Sequence, residues 1–261
     1  MTQMTLDANK TVREFAVELP SAIRVFEKFG IDYCCGGGKT LVEVCSAAKL
    51  PVETVLDTLS RAESEREHLS EGQSDYRTMP LADLIAHIVT RHHNYVRDEL
   101  PRLEHLLGKV AAKHGPNHPE VPQVQPVFAA LSQELTMHLM KEEEVLFPYI
   151  VRMEEAAVAK EPAPPPSFGS VQNPVRMMMS EHDSAGDALR RMRQLTSDYT
   201  VPADGCMSFH ALYEGLADFE ADLHQHIHLE NNILFPRAIS IEDVRYAGAV
   251  SGCGHSCPVE K

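Results

Sequence analysis

The sequence predicts an all-α protein, a four-helix bundle preceded by a small helical unit, and three observations carry that prediction. Apolar residues recur at alternating steps of three and four along most of the chain, the rhythm of one helix face. No stretch shows the apolar–polar alternation of a strand above background. A two-helix unit occurs twice: a helix with a central histidine, then one in which a histidine stands four residues before a glutamate and ten before a proline. The units are spaced alike, 45 residues from His93 to His138 and 44 from His182 to His226.

At 261 residues the chain has room for one large domain or for a small and a medium one. Asp and Glu outnumber Lys and Arg 38 to 24, a formal net charge of −14, which argues against nucleic acid or an anionic membrane as partner. No run approaches the ~18 apolar residues of a spanning helix. The start, Met1 to Asp7, has neither the basic flank nor the apolar run of a signal peptide. Six cysteines are too sparse for a disulfide scaffold, so a reducing, cytoplasmic setting is expected.

Residues 1–72 read as the small helical unit. Ser21 is a candidate N-cap for a helix with Ile23, Phe26 and Phe29 on one face, ended by Gly30. A turn with Asp32, Tyr33, Cys34, Cys35 and three glycines follows, then a helix through Leu41, Val44, Cys45 and Ala48. Pro51 opens a third helix, with Val55, Leu56 and Leu59 inward, which runs into a charged stretch ending near a linker at 72–74. The Gly-Gly-Gly-Lys-Thr string is not a phosphate loop, because Tyr33 stands where that loop needs its first glycine and a helix precedes it. Adjacent thiols on a glycine-rich turn are expected to be exposed, with backbone N–H groups favouring thiolate, which makes Cys34 and Cys35 candidates for redox or ligand handling.

Residues 78–240 read as the bundle. A long helix from Pro80 places Leu84, Ile88, Val96, Leu100 and Leu103 inward and carries His92 and His93. A Pro/Gly/His-rich loop is expected between Gly108 and Pro126, and a proline-stiffened connection at about 156–173. A helix from Pro174 sets Val175, Met178, His182, Ala185 and Leu189 on one face, and Pro202 to Gly205 turns the chain into the last helix. Residues 241–261 form a tail with Cys253, His255 and Cys257, expected to be disordered with free thiols.

The chemistry lies on the bundle seams. In the first repeat the inward stripe is Phe128, Leu131, Leu135, His138, Glu142, Val145, Tyr149; in the second, Phe209 to Leu223 lead to His226, Glu230 and Ile233. Histidine and glutamate thus occupy places the pattern would fill with leucine. A solvated i,i+4 pair is worth only about 0.3–0.5 kcal/mol and needs no place on a seam. A glutamate in a bundle core costs several kcal/mol unless a cation meets it. Neither seam offers Lys or Arg, so the expected cation is a metal.

The expected ligands are His93, His138, Glu142, His182, His226 and Glu230. His92 competes with His93: stripe geometry favours His92, half-repeat spacing His93. His224 and His228 lie about 160° round the helix from His226 and read as surface or outer groups. His87, His105, His114 and His118 read as solvated. Glu134 and Asp222, one turn before ligand histidines, are candidate acceptors for the second ring N–H. Two histidines per metal, two bridging glutamates and an oxo or hydroxo bridge leave one position open on a six-coordinate ion. Imidazole with carboxylate suits iron, then manganese or zinc, and an open redox pair in an apolar bundle suits a small diatomic or electron transfer.

The two His-x3-Glu…Leu-Phe-Pro blocks resemble a hemerythrin-type di-iron bundle. Together with Asp32-Tyr-Cys-Cys-Gly-Gly and Ser180-Glu-His182, the chain resembles the Repair of Iron Centres family, the YtfE/ScdA/DnrN group, from about Glu18 to Arg237. That resemblance implies two iron ions bridged by carboxylates and an oxo group, with His93 rather than His92 as ligand. It implies repair of iron–sulfur clusters damaged by nitric oxide or peroxide. The implied partners are nitric oxide or another diatomic and damaged iron–sulfur proteins, with an electron donor besides; the net charge speaks for neither nucleic acid nor membrane, and helical surface charge fits a monomer or a homodimer. Alternative roles are a non-catalytic nitric oxide or oxygen sensor or carrier, or an iron donor. The oxygen carriers' fifth histidine and His-x4-Asp block are absent here, which weakens the carrier reading.

Overall fold

A computed structural model describes residues 6–69, 75–162 and 165–251, the side chains of 65–69 and 245–251 excepted. Among the described residues every regular element is helical. The expected linker at 72–74 and the cysteines of the tail, Cys253 and Cys257, lie outside the described residues.

Four helices build the N-terminal unit. Helix α1 (Val12–Glu18) opens on a capping box in which the Thr11 hydroxyl accepts the Glu14 N–H and the Glu14 carboxylate accepts the Thr11 N–H. The sequence reading lacked this helix, although Thr-x-x-Glu is its signature. Helix α2 (Ala22–Phe29) stops at Gly30, whose φ of 64° is the left-handed cap a glycine adopts without strain. Ser21 precedes α2, but its hydroxyl donates to Glu63 instead of capping the helix. Helix α3 (Leu41–Ala48) repeats the capping box with Thr40 and Glu43, and α4 (Val52–Leu69) packs on α2 and α3.

Four rods form the bundle. The first is α5 (Leu81–Ile88) running through a wide turn, Val89–His93, into α6 (Asn94–His114). The second is α7 (Glu120–Lys141), a wide turn at Glu142–Leu146, and α8 (Phe147–Ala159). The third is α9 (Gln172–Leu195); the fourth is α10 (Met207–Leu229), a wide turn at Glu230–Leu234, and α11 (Phe235–Ser251). Helix α7 packs on α9 and α6, and α6 packs on α10. The loop expected from Gly108 to Pro126 shrinks to 115–119. A helical glycine costs only ~1 kcal/mol, so α6 continues through Gly108, and α7 accommodates Pro122 in its first turn and Pro126 further on. The second connection likewise shortens to 160–171. No helix among the described residues is long and apolar enough to cross a membrane.

Two apolar cores fill the molecule. One gathers Leu103, Phe128, Leu135, Leu216 and Phe219 and continues into Phe15, Phe26 and Leu41, so the N-terminal helices share it with the bundle. The other gathers Leu84, Ile88, Leu146, Ile150, Val175 and Phe235 at the opposite end. Along each rod the boundary between them is polar and buried: His92 and His93, His138 and Glu142, His182, His226 and Glu230. At roughly 1.5–3 kcal/mol per fully buried Leu or Phe, the flanking cores supply the stability that holds this layer away from water.

Candidate metal centre

The wide turns set the site. Each closes with an N–H bonded to a carbonyl five residues back: Asn94 to Val89, Phe147 to Glu142, Phe235 to Glu230. Such a π-turn inserts one residue and shifts the inward face by about 100°. After Glu142 the buried position therefore moves from Val145, which is 46% exposed, to Leu146, correcting the expected stripe. The proline that ends each motif, Pro148 or Pro236, has no N–H to give, so an ordinary helical bond is missing just where the turn is wide. In the first rod the same slip turns His93 inward, where an unbroken α-helix would have favoured His92.

Two donor groups result. His93, Glu142, His226 and Glu230 bring ligand atoms within 4.8 Å of one another, and so do His138, Glu142, His182 and Glu230, all buried. His93 Nε2 lies 3.0 Å from His226 Nε2, and His182 Nε2 lies 3.1 Å from His138 Nε2. Donor arms of about 2.1 Å meeting at a right angle place two nitrogens about 3.0 Å apart, the separation of neighbouring ligands on one ion. Both Glu142 oxygens and Glu230 Oε2 are buried without a hydrogen bond, although His93, His138 and His182 come within 3.2–3.5 Å of them.

The electrostatics agree with that fit. Burial and the charge of Glu230 push Glu142 well above the usual carboxylate range. Burial acts on Glu230 in the same sense, but His226 first, with the His182 and His93 imidazoles close by, holds it well below. Without a cation, burial favours the protonated form of Glu142; a dication would take that proton's place. Burial also brings His138 and His226 down to about 4, so each offers a neutral lone pair.

Partners from other helices orient the rings. His93 Nδ1 meets Glu143 at 2.6 Å, and Arg97 holds the same carboxylate. His138 Nδ1 meets Glu181 at 2.9 Å, which Lys141 also holds, and His182 Nδ1 meets Asn231 Oδ1 at 2.8 Å. Glu143, Glu181 and Asn231 were not anticipated, because single-helix periodicity cannot see a partner that crosses between rods. Of the acids expected in that role, Glu134 is exposed and Asp222 pairs with His92 Nδ1 at 3.1 Å, leaving His226 Nδ1 without a hydrogen bond. His228 is buried at 2% exposure, bonded to Asn232 and packed on Tyr33, which corrects its placement at the surface. His87 and His114 are half-buried and also partnered, by Tyr76 and Cys206.

The thiol turn docks beside this layer. Asn231 donates to the Cys34 carbonyl at 3.4 Å and Asn232 to that of Tyr33 at 3.0 Å. Cys35 Sγ lies 3.5 Å from the His182 carbonyl. Gly37 is required, since a Cβ there would sit 2.7 Å from the Tyr33 carbonyl oxygen. The expectation of exposed thiolates changes. Cys34 is 2% exposed, and the Cys34 and Cys35 N–H groups bond to Asp32 Oδ1. Hydrogen bonding to Cys35, 3.7 Å away between sulfurs, together with burial raises the Cys34 thiol well above its ordinary value. Cys35 alone of the pair is half-buried and reachable.

A four-helix bundle crossed by four histidines and two shared glutamates defines a cation-binding protein of hemerythrin type. Residues 84–238 match the family described as the Hemerythrin HHE cation binding domain, and residues 8–63 match ScdA_N, a domain of unknown function. The chain is 38% identical over 233 residues to the iron-sulfur cluster repair protein YtfE of Citrobacter koseri, covering 88% of this chain and 96% of that one. It is 38% identical over 241 residues to the probable iron-sulfur cluster repair protein of Haemophilus influenzae, covering 89% and 98%. With the Yersinia pseudotuberculosis YtfE it shares 36% over 233 residues, covering 88% and 97%. The chain belongs to the family of these YtfE-type proteins.

Proposed function

We propose that the chain holds two iron ions and acts in the cytoplasm in repair of iron–sulfur clusters damaged by nitrosative or oxidative stress, meeting nitric oxide or a similar diatomic at the centre. One observation carries this reading: Glu142 and Glu230, fully buried, belong to both donor groups and present oxygens that no hydrogen bond satisfies. In it, His93 and His226 would hold one ion and His138 and His182 the other, with Glu142 and Glu230 available to both. Iron bound there would supply redox chemistry toward a diatomic ligand. The chain's own residues fix the donors, exclude water with two apolar cores, and place the Cys35 thiol beside the His138/His182 half with Cys34 behind it as an accessory group. The repair role is supported by the names its relatives carry. It requires damaged iron–sulfur proteins and an electron donor as partners.

The test is anaerobic reconstitution of the full chain with ferrous iron. About two irons per chain are expected, with consumption of nitric oxide over several turnovers under reductant and reactivation of a nitric oxide-damaged iron–sulfur enzyme. A chain that retains zinc alone and is inert to reduction and to nitric oxide overturns the proposal. Stoichiometric uptake with intact release would make it a carrier instead.

A further inference from the structure

A second group of reactive side chains lies at the other end of α10, twenty residues from His226 and therefore about 30 Å away along the helix. Cys206 is the N-cap of α10 and half-buried, whereas Cys34 and Cys45 are sealed in. His114, at the end of α6, places Nε2 3.1 Å from the Cys206 sulfur. His118, from the loop between α6 and α7, stands beside it with ring centroids 6.1 Å apart. Asp204 holds His118 Nε2 at 3.0 and 3.1 Å, and Glu120 of α7 holds its Nδ1 at 3.2 Å. Phe209 makes T-shaped contacts with both imidazoles, at ring-centroid distances of 5.4 and 5.3 Å. Cys206 is thus a nucleophile paired with an imidazole at a helix N-terminus, with a second imidazole, held by two carboxylates, beside that one. The three groups come from α6, the loop after it and α10, and the candidate metal centre uses none of them.

We propose that Cys206 is a modification site that forms mixed disulfides with low-molecular-weight disulfides, His114 favouring the attacking thiolate. In that step the Cys206 sulfur attacks one sulfur of the disulfide, a new S–S bond forms as the old one breaks, and the departing thiolate takes a proton from solvent. Cys206 is oxidised and the departing thiol is reduced, so no further oxidant is required. The first-turn N–H groups of Phe209 and Ser208, with His114, bring the thiol down to about 7. Hydrogen bonding to Asp204 raises His118 above its ordinary value. The inference stands independently of the iron reading.

The test uses the full chain and peptide-resolved mass spectrometry. A short iodoacetamide pulse across the pH range should label Cys206 with a midpoint near 7, against about 8.5 for an ordinary thiol. His114→Gln should move that midpoint upward. At pH 7 the larger thiolate fraction, about sixteenfold, is offset about fivefold by lower nucleophilicity, so oxidised glutathione should modify Cys206 about threefold faster than an ordinary exposed thiol. Dithiothreitol should reverse the adduct. Cys206→Ser should abolish it without changing iron content, since the centre is about 30 Å distant. A wild-type midpoint at or above 8.5, a midpoint indifferent to His114→Gln, or no adduct with glutathione would each overturn the proposal.

Discussion

Replacing Glu142 by leucine separates what the carboxylate costs the fold from what it gives a metal. In the metal-free chain its two oxygens are fully buried without hydrogen bonds. Exchanging a buried charged group for a well-packed apolar one of similar volume is neutral to stabilising, by up to about 4 kcal/mol. Burial and Glu230 push this carboxyl well above its usual range, so a proton already relieves part of the penalty, and a gain of about 1–2 kcal/mol is expected. For a chain of this size that raises the melting temperature by roughly 2–8 °C. The effect with metal has the opposite sign. Glu142 belongs to both donor groups, so each falls from four donors to three and affinity should drop at least a hundredfold. A ligand present at a hundred times its Kd stabilises by about 2.7 kcal/mol, and that increment would vanish. Circular-dichroism melts with and without ferrous iron, beside iron analysis after desalting, read both effects. If Glu142→Leu kept two irons, or melted below wild type without metal, the account of why acids occupy these seams would be wrong.

Other outcomes follow from the same geometry. Metal-free protein should lose stability on acidification: His138, His226 and His228 are depressed to about 4, so their contribution is complete above the unfolded value of about 6.5 and is lost as pH falls toward 4. Glu142, raised instead, gains on acidification and offsets part of that loss. Urea midpoints that stay level from neutral pH to 5 would contradict this. Glu143→Ala should weaken iron binding about 10–100-fold by freeing the His93 ring, whereas Arg97→Ala, at an exposed ion pair, should change stability by under ~1 kcal/mol. Chelator competition distinguishes the two, and equal effects would refute the assignment. Asn231→Leu removes the acceptor of His182 and the anchor of Cys34 together, so iron affinity should fall about 10–100-fold while Cys34 becomes alkylatable in the folded protein. A Cys34 that stays protected would show that Asn231 does not hold the turn.

The helices and His138, Glu142, His182, His226 and Glu230 could be read from the sequence because they rest on one period, apolar residues spaced three and four apart with polar ones intruding at the same phase in two repeats, whereas His93 was preferred only on the spacing of the half-repeats. What escaped reading lies where the period breaks. A π-turn costs one residue of phase, so Val145 was assigned inward where Leu146 is buried, and stripe geometry chose His92 over His93. Cross-rod partners such as Glu181 to His138 depend on packing that no single helix encodes. The docking of the thiol turn depends on Asn231 and Asn232, two residues that look like ordinary polar positions until the Tyr33 and Cys34 carbonyls arrive beside them.

The duplication explains why the two halves of the centre differ. Superimposing the repeats in sequence pairs His93 with His182, His138 with His226, Glu142 with Glu230, Glu143 with Asn231, and His92 with Glu181. Glu143 accepts from His93, and its counterpart Asn231 accepts from His182. Glu181 accepts from His138, but its counterpart is His92, a ring that stacks on His226 at 5.7 Å and turns its nitrogen to Asp222. His226 Nδ1 is therefore left without an acceptor because the repeat has a histidine where the other copy has a glutamate. The second exchange has a chemical reason as well. A carboxylate at 231 could orient His182 but could not donate, whereas an amide accepts from the imidazole through Oδ1 and donates to the Cys34 carbonyl through Nδ2. Asparagine thus ties the thiol turn to the His138/His182 half and leaves that half with one charged partner fewer than a symmetric copy would have. A displacement of the turn would reach the His182 ring through Asn231 and its backbone through Cys35, and the His93/His226 half has no corresponding link among the described residues.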